Sequence, residues 1–181
     1  MAQVELLPQA RQRTPGRPGD ACIMVIFGAA GDLTRRKLVP ALYNLAKAQL
    51  LSREFAMVGI SHTPLSDEDF RKKVVDDIRH YAGNDADSDL VEWFDRRIYY
   101  LSADFDDQKL YPQLKAALDK LNLDHATHGN YFFYLATAPK FFGSIVEQLA
   151  RAQLMDEANG ERWRRAIVEK PFGHDLESAR A

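Results

Sequence analysis

Two glycines, Gly28 and Gly31, close the apolar run "CIMVIFG" inside the longer stretch "VIFGAAGDLTRRKLVPAL", Val25 to Leu42. A strand-to-helix turn with glycines at its bend is suited to holding a phosphate. Gly28 can take backbone angles that a larger residue resists. Gly31 lets the chain approach a pyrophosphate closely, and the helix beyond it offers unpaired N–H groups and the positive end of its dipole. Gly28, Ala29, Ala30, Gly31, Asp32, Leu33 and Thr34 are therefore the candidate pyrophosphate site of a dinucleotide. The glycines fall as G-x-x-G, with Ala30 where the usual G-x-G-x-x-G fingerprint has its second glycine, so a plain turn with two glycines stays open as an alternative. No G-K-[ST] follows, which excludes a P-loop. Asp32 would repel a phosphate if aimed at it, and is expected to accept from first-turn N–H groups instead. Arg35, Arg36 and Lys37 form either a solvated basic face or a group that steers the coenzyme's phosphates.

Two further stretches bear on the same chemistry. The second apolar run ends in "GISHTPLS", with no acid before Asp67. An acidic residue at that point binds the adenosine ribose of NAD. Its absence removes a repulsion against a 2′-phosphate, to which Ser61 and Thr63 can donate and His62 can add charge when protonated. NADP is the expected coenzyme, with NAD or dual use as the alternative, and an ordinary surface histidine as the alternative for His62. The last apolar run ends in "IVEKPFGHDL". It places Lys170 at the carboxyl edge, on the side of the glycine bend, where its ammonium can donate to a sugar hydroxyl and to the coenzyme together. Pro171 pushes Lys170 toward an extended backbone. A merely solvated strand-end lysine is the alternative.

The elements that must position these residues alternate. Short apolar runs at "ACIMVIF", "FAMVGIS", "RIYYLSAD", "NYFFYLAT" and "RRAIVEK" read as strands, the first covered on both faces as parallel strands are. Between them the pattern predicts helices from about Asp32 to Leu50, over "SDEDFRKKVVDDIRHY" with a capping box at Ser66 and Asp69, from Asp107 to Leu121, and from about Lys140 to Leu154. Pro40 should kink the first of these or restart it. "NDADSD" reads as a polar loop before a short segment around Trp93, and "NLDHATHG" as the loop after a helix. A last helix begins near Asp175 and is cut at Ala181, the mark of a fragment. Strands alternating with helices give a Rossmann-like, doubly wound α/β fold with a mostly parallel sheet. It occupies residues 21–181, behind a tail over residues 1–20 that is rich in proline, glycine and arginine and expected to be flexible.

The totals agree with one soluble domain. The chain has 181 residues, enough for one core, and a net charge of -2 argues against a broadly electrostatic nucleic-acid binder. Cys22 is the single cysteine, so no internal disulfide can form, and its place in an apolar run makes it a small core residue. No stretch approaches the roughly 20 apolar residues of a spanning helix. A cytoplasmic protein that contacts neither membrane nor nucleic acid is the expectation.

Taken together, "FGAAGDLTRRKLVPALYNL", "FYLATAP" and "IVEKPFGHDL", in that order and spacing, resemble glucose-6-phosphate dehydrogenase from about residue 22 to residue 181. "GAAGDL" resembles that family's G-A-S-G-D-L, and "EKPFG" matches as written. The resemblance implies hydride transfer from C1 of glucose 6-phosphate to the nicotinamide, giving the phosphogluconolactone in the first step of the pentose phosphate pathway. It implies that Gly28 to Thr34 hold the pyrophosphate, that Lys170 touches both sugar substrate and coenzyme, and that Pro171 switches between cis and trans. Phe142 matches a tyrosine that lies near the coenzyme in that family. The chain departs from the pattern at Ala30, which replaces a serine and removes a hydroxyl donor, and at "TAP" (Thr137 to Pro139), which replaces L-P-P. It departs also at His62, where NADP-preferring members often carry arginine. The family's general-base histidine, in R-I-D-H-Y-L-G-K-E, is absent, as are the residues for the substrate phosphate and the second domain that makes the dimer contact. The resemblance therefore implies a coenzyme domain that binds without turning over, a monomer by itself, from an enzyme that is a homo-oligomer at full length. The rivals are an enzyme of the glucose–fructose oxidoreductase type, which also uses E-K-P but keeps a true G-x-G-x-x-G, and a stand-alone NADP-sensing domain.

Overall fold

In a computed structural model of the chain, residues 16–157 and 160–169 are described. Five parallel strands form one sheet in the order β3-β2-β1-β4-β5: β1 (Ile23–Phe27), β2 (Ala56–Ser61), β3 (Ile98–Ser102), β4 (Tyr131–Leu135) and β5 (Arg164–Val168). The expected α/β architecture is what forms. Phe27 lies opposite Ile60 on one side and Leu135 on the other, and Leu135 lies opposite Val168. The strands thus end level, and the described loops that leave their carboxyl ends emerge along one edge.

Side-chain alternation along the strands divides the core in two. Ile23, Val25 and Phe27 of β1 join α4 (Leu110–His125) and α5 (Phe142–Arg151) through Leu114, Leu118, Ile145 and Leu149. Met24 and Ile26 face the other way. They pack with α1 (Val39–Lys47), α2 (Asp67–Ala82) and α3 (Ser88–Asp95) through Val39, Tyr43, Phe70, Ile78 and Phe94. All five residues of β1 are buried, as a central parallel strand requires. Cys22 sits half-buried at the margin of the second cluster.

Several boundaries differ from the expectation, each for a local reason. The helix expected from Asp32 to Leu50 is interrupted: Thr34–Leu38 form a π-helical turn before α1. Pro40 has no N–H to give to an earlier carbonyl, and the N–H of Val39 reaches back five residues to Thr34. The helix expected from Asp107 begins only at Leu110, because the Asp107 carboxylate accepts from the N–H of Lys109 (2.9 Å) and holds a turn there. That helix then runs four residues past Leu121. "NLDHATHG" is thus not wholly a loop: Asn122 to His125 are the last turn of α4, which stops where Ala126 turns left-handed (φ 52°). Pro139–Phe141 make a single 3₁₀ turn, so α5 starts at Phe142 and ends at Arg151. The capping box is present, with Ser66 accepting from the N–H of Asp69 at 3.0 Å. Residues 16–20 are exposed, yet Gly19 donates to the Leu50 carbonyl (2.9 Å) and Asp20 accepts from the Trp163 indole (3.1 Å). Lys170, Pro171 and the helix expected from Asp175 lie outside the described residues, as do residues 1–15. No helix among the described residues is long and apolar enough to cross a membrane.

The core holds titratable groups in their neutral forms. Burial, with a smaller push from the Asp106 charge, raises Tyr111 to about 12, and its hydroxyl donates to the Phe105 carbonyl at 2.7 Å. Burial and then the Asp20 charge raise Cys22 to about 11. An unfolded tyrosine ionises near about 10, so above that pH the unfolded state releases protons that the folded state retains. Stability should therefore hold below about pH 8.5 and fall between about pH 8.5 and 12, first through Cys22 and then through Tyr111. Urea unfolding across this range checks it: Tyr111→Phe should lower stability at pH 8 and flatten the alkaline decline.

Candidate functional site

The turn after β1 is held by its own backbone. The N–H groups of Gly28 and Ala29 both donate to the carbonyl of Ile60, at 2.8 and 3.1 Å, and the N–H of Gly31 donates to the Gly28 carbonyl at 2.9 Å. Gly28 has φ +89°, and a Cβ there would sit inside the van der Waals shell of the Ala136 carbonyl oxygen. Only glycine serves at this point, on both counts. The first helical bond is donated by Arg35 to the Gly31 carbonyl (3.2 Å). The amides of Asp32, Leu33 and Thr34 therefore precede the helical ladder, as the first donors of any helix do. These, rather than the amides of Gly28 and Ala29, are the donors at the positive end of the helix that an anion can use.

The side chains of this turn divide by direction. Thr34 is 1% exposed and its hydroxyl points back to the Gly28 carbonyl at 3.4 Å, bracing the bend. Ala29 is buried, whereas Ala30, Gly31, Asp32 and Leu33 are exposed. Asp32 does not take up the capping role expected of it. Its carboxylate meets Arg35 at 3.5 Å and Arg36 at 3.2 Å, because residues three and four apart share a helix face. These pairs are exposed and contribute little stability, but they hold both guanidinium groups beside a carboxylate.

A cleft of about 680 Å³ opens at the carboxyl edge and collects four loops. From β1 come Gly28, Ala30 and Gly31; from β2, Ser61, His62 and Thr63; from β3, Asp104, Phe105 and Asp106; from β4, Ala136, Thr137 and Ala138, followed by Lys140 and Phe141. Ser61 is 4% exposed and its hydroxyl accepts from the Thr63 N–H at 3.4 Å, while His62 is exposed. The β2 loop is fixed from the next strand: the Tyr100 hydroxyl donates to the Thr63 carbonyl at 2.7 Å, and Ser102 donates to the same carbonyl at 3.1 Å. Phe142 does not line the cleft. It is half-buried against the α4–α5 side of the core, and its neighbour Phe141 takes the lining position. Lys170 lies outside the described residues. The hydroxyl of Tyr134 donates to Glu169, the residue just after β5. A second hollow of about 330 Å³ behind Ala29 and Ala30 is lined by Arg35, Thr63, Lys73 and Asp77. A larger one of about 890 Å³ lies between α2 and α3, away from the glycine bend.

Three contributors escape a reading of the sequence alone. Gly59, in the middle of β2, leaves room for Ala29 and for the ring of Phe70; a Cβ would come within 2.7 Å of each. The signal was present, since an isolated glycine in a strand often marks a close approach. Phe105 packs edge-to-face on Phe27 (5.8 Å) and on Phe141 (5.3 Å), flooring the cleft with rings that meet only in the fold. Lys140 stands at the rim with no motif to announce it. His125, which the sequence sets beside Asp124, is remote from the cleft. Its Nε2 lies 2.8 Å from the Tyr99 hydroxyl, near the amino end of β3. Burial, helped by Arg97 and opposed by Asp124, holds its pKa down.

This arrangement meets the requirements of a bound dinucleotide: a bend that tolerates no Cβ, helix-start amides beside it, and a cleft spanning both sides of β1. Comparison with known proteins bears on the same point. A family model described as glucose-6-phosphate dehydrogenase, NAD binding domain, matches residues 25–181. The chain is 42% identical over 161 residues to a glucose-6-phosphate 1-dehydrogenase of Chlamydia pneumoniae, covering 88% of this chain and 31% of that protein. It is 37% identical over 174 residues to glucose-6-phosphate 1-dehydrogenase 2 of Mycobacterium bovis, covering 96% and 34%. Among solved structures it resembles a glucose-6-phosphate dehydrogenase in complex with glucose-6-phosphate (TM-score 0.78, 30% identity, 92% of this chain and 34% of that one). It also resembles the glucose-6-phosphate 1-dehydrogenase of Mycobacterium avium (TM-score 0.72, 32% identity, 90% and 32%). The chain spans about a third of the length of these relatives.

The close packing at Gly59 can be tested directly. Gly59→Ala should cost about 1–3 kcal/mol of stability through overpacking and should weaken dinucleotide binding by displacing Ala29. Urea denaturation and a dinucleotide titration read the two effects; unchanged values for both would refute the packing described.

Proposed function

Because the chain belongs to the glucose-6-phosphate dehydrogenase family, of which it carries the NAD-binding domain, we propose that it is the coenzyme-binding part of an enzyme that oxidises glucose 6-phosphate at C1 to the phosphogluconolactone with reduction of NADP. The observation that carries this reading is the Gly28 bend, locked against Ile60 and Ala136 at the mouth of a cleft that extends to both sides of β1.

The residues divide the work. Ala30 and Gly31 leave the pyrophosphate room to approach, and the amides from Asp32 to Thr34 donate to it at the positive end of the helix. The inward hydroxyl of Thr34 and the paired amides of Gly28 and Ala29 act by holding the bend in shape. His62 and Thr63, with Ser61 beneath them, meet the adenosine ribose and its 2′-phosphate. Phe141 takes the place beside the coenzyme expected of Phe142, and Lys170 reaches both sugar and coenzyme. The coenzyme, when bound, supplies the hydride acceptor. Oxidation of the sugar also needs a base at the C1 hydroxyl. In this reading that base is a histidine in the two-thirds of the family's length that this chain does not span, so the chain by itself binds coenzyme without turnover. The full-length protein is then a cytoplasmic homo-oligomer and this stretch alone a monomer. A match over residues 25–181 leaves an enzyme of the glucose–fructose oxidoreductase type, and a stand-alone NADP sensor, as less favoured readings.

NADP is preferred because no carboxylate follows β2 to meet a 2′-phosphate, and His62 is exposed at the cleft. Histidine gives a conditional charge where arginine gives a permanent, forked one. His62→Arg should tighten NADP by about tenfold and leave NAD nearly unchanged, as read by calorimetric titration. Equal gains for both dinucleotides would remove His62 from the 2′-phosphate. With glucose 6-phosphate and NADP together, this chain should accumulate no reduced coenzyme.

A further inference from the structure

We infer that Lys140 is the side-chain cation that the β4 side of the cleft presents to the coenzyme's pyrophosphate, an inference that rests on the coenzyme-binding reading above. Lys140 lies in the 3₁₀ turn Pro139–Phe141 between β4 and α5, and lines the same cleft as Gly28 and Gly31. Its ammonium stands 4.8 Å from the centroid of the Phe141 ring. Phe141 rests edge-to-face on Phe105, and Phe105 on the buried Phe27. The charge is thus seated on a column of rings rooted in the core directly below the glycine bend. A cation placed over a ring in this way is attracted by its face and loses less freedom on meeting a ligand than a free lysine would.

The charges around the cleft single it out. Its described lining carries four ionisable side chains, His62, Asp104, Asp106 and Lys140. Two are carboxylates that repel an anion, and histidine is charged only in part near neutral pH. Lys140 is the one lining residue with a permanent positive charge, and it forms no ion pair among the described residues. The basic run Arg35 to Lys37 does not replace it. Arg35 and Arg36 are held by Asp32, and none of the three lines this cleft.

Sheet order says which part of the coenzyme it meets. β2 and β4 flank β1 on opposite sides. A dinucleotide crossing the bend with its adenosine half toward Ser61–Thr63 places its other half, and the phosphate attached to it, toward Ala136–Phe141. Lys140 then serves NADP and NAD alike and has no part in the 2′-phosphate.

The test compares the wild-type chain with Lys140→Gln and Lys140→Arg by calorimetric titration of NADP, NAD and 2′,5′-ADP at two salt concentrations, with thermal unfolding to show that the fold is kept. Lys140→Gln should weaken NADP and NAD equally, by about 3- to 10-fold, flatten their salt dependence, and leave 2′,5′-ADP unchanged, since that probe lacks the second bridging phosphate. Lys140→Arg should restore binding. A loss confined to NADP, an equal loss for 2′,5′-ADP, or no loss at all overturns the inference. A wild-type chain that takes up neither dinucleotide overturns the coenzyme reading itself, and this one with it.

Discussion

A single carbonyl, that of Ile60, fixes the carboxyl edge of the sheet. It accepts the N–H groups of both Gly28 and Ala29, so the chain leaving β1 is tied sideways to β2 before it can turn into a helix. On the other side the bare Cα of Gly28 lies against the Ala136 carbonyl, and the N–H of Ala136 donates to Phe27 at 2.9 Å. Three neighbouring strands are thereby locked where they end. Ala29, drawn inward by these bonds, needs the space that Gly59 leaves, and Phe70 fills what remains by stacking on Tyr100 at 4.5 Å. Tyr100 in turn pins Thr63 and with it the loop that carries His62. The geometry of the cleft follows from packing that begins at two residues without side chains.

The electrostatics of the site are restrained by comparison. The helix that opens after Gly31 supplies partial positive charge through its first amides, while the full charges nearby largely cancel. Asp32 offsets Arg35 and Arg36, and Asp104 and Asp106 line the same cleft as His62 and Lys140. With a net charge of -2, the chain has no strong field to draw in an anion from a distance. Shape and short-range donors must then carry the binding, which is consistent with a bend so closely specified in its backbone.

Much of this was legible in the residues because the relevant signals are local. β1 and β4 announce themselves as short apolar runs, the start of α2 as a capping box, and Gly28 and Gly31 as punctuation between a strand and a helix. What stayed hidden depends on partners distant in sequence. Phe105 and Phe141 come from separate loops and become a cleft floor only when β3 and β4 are arranged around β1. The partner of Asp32 is not legible, because its choice between backbone amides and Arg36 is decided by side-chain rotamers. The end of α4 is hidden because Asn122 to His125, polar apart from Leu123, read as loop. They continue the helix because Tyr99 receives His125, and Asn122 accepts the N–H of Gly129 and the hydroxyl of Thr127 beyond the turn.

The π-helical turn over Thr34–Leu38 has a consequence for how this region tolerates change. On an unbroken α-helix Thr34 and Val39 would point about 140° apart, yet both are buried. One surplus residue, accommodated where Pro40 withholds a hydrogen bond, brings them to the same side and leaves Arg35, Arg36 and Lys37 turned to solvent. The wider turn works as a phase adjuster between the first turn after Gly31 and the helix that anchors it to the sheet. Each segment keeps its own rotational setting, so the basic face can vary in composition without disturbing how Leu42 and Tyr43 dock.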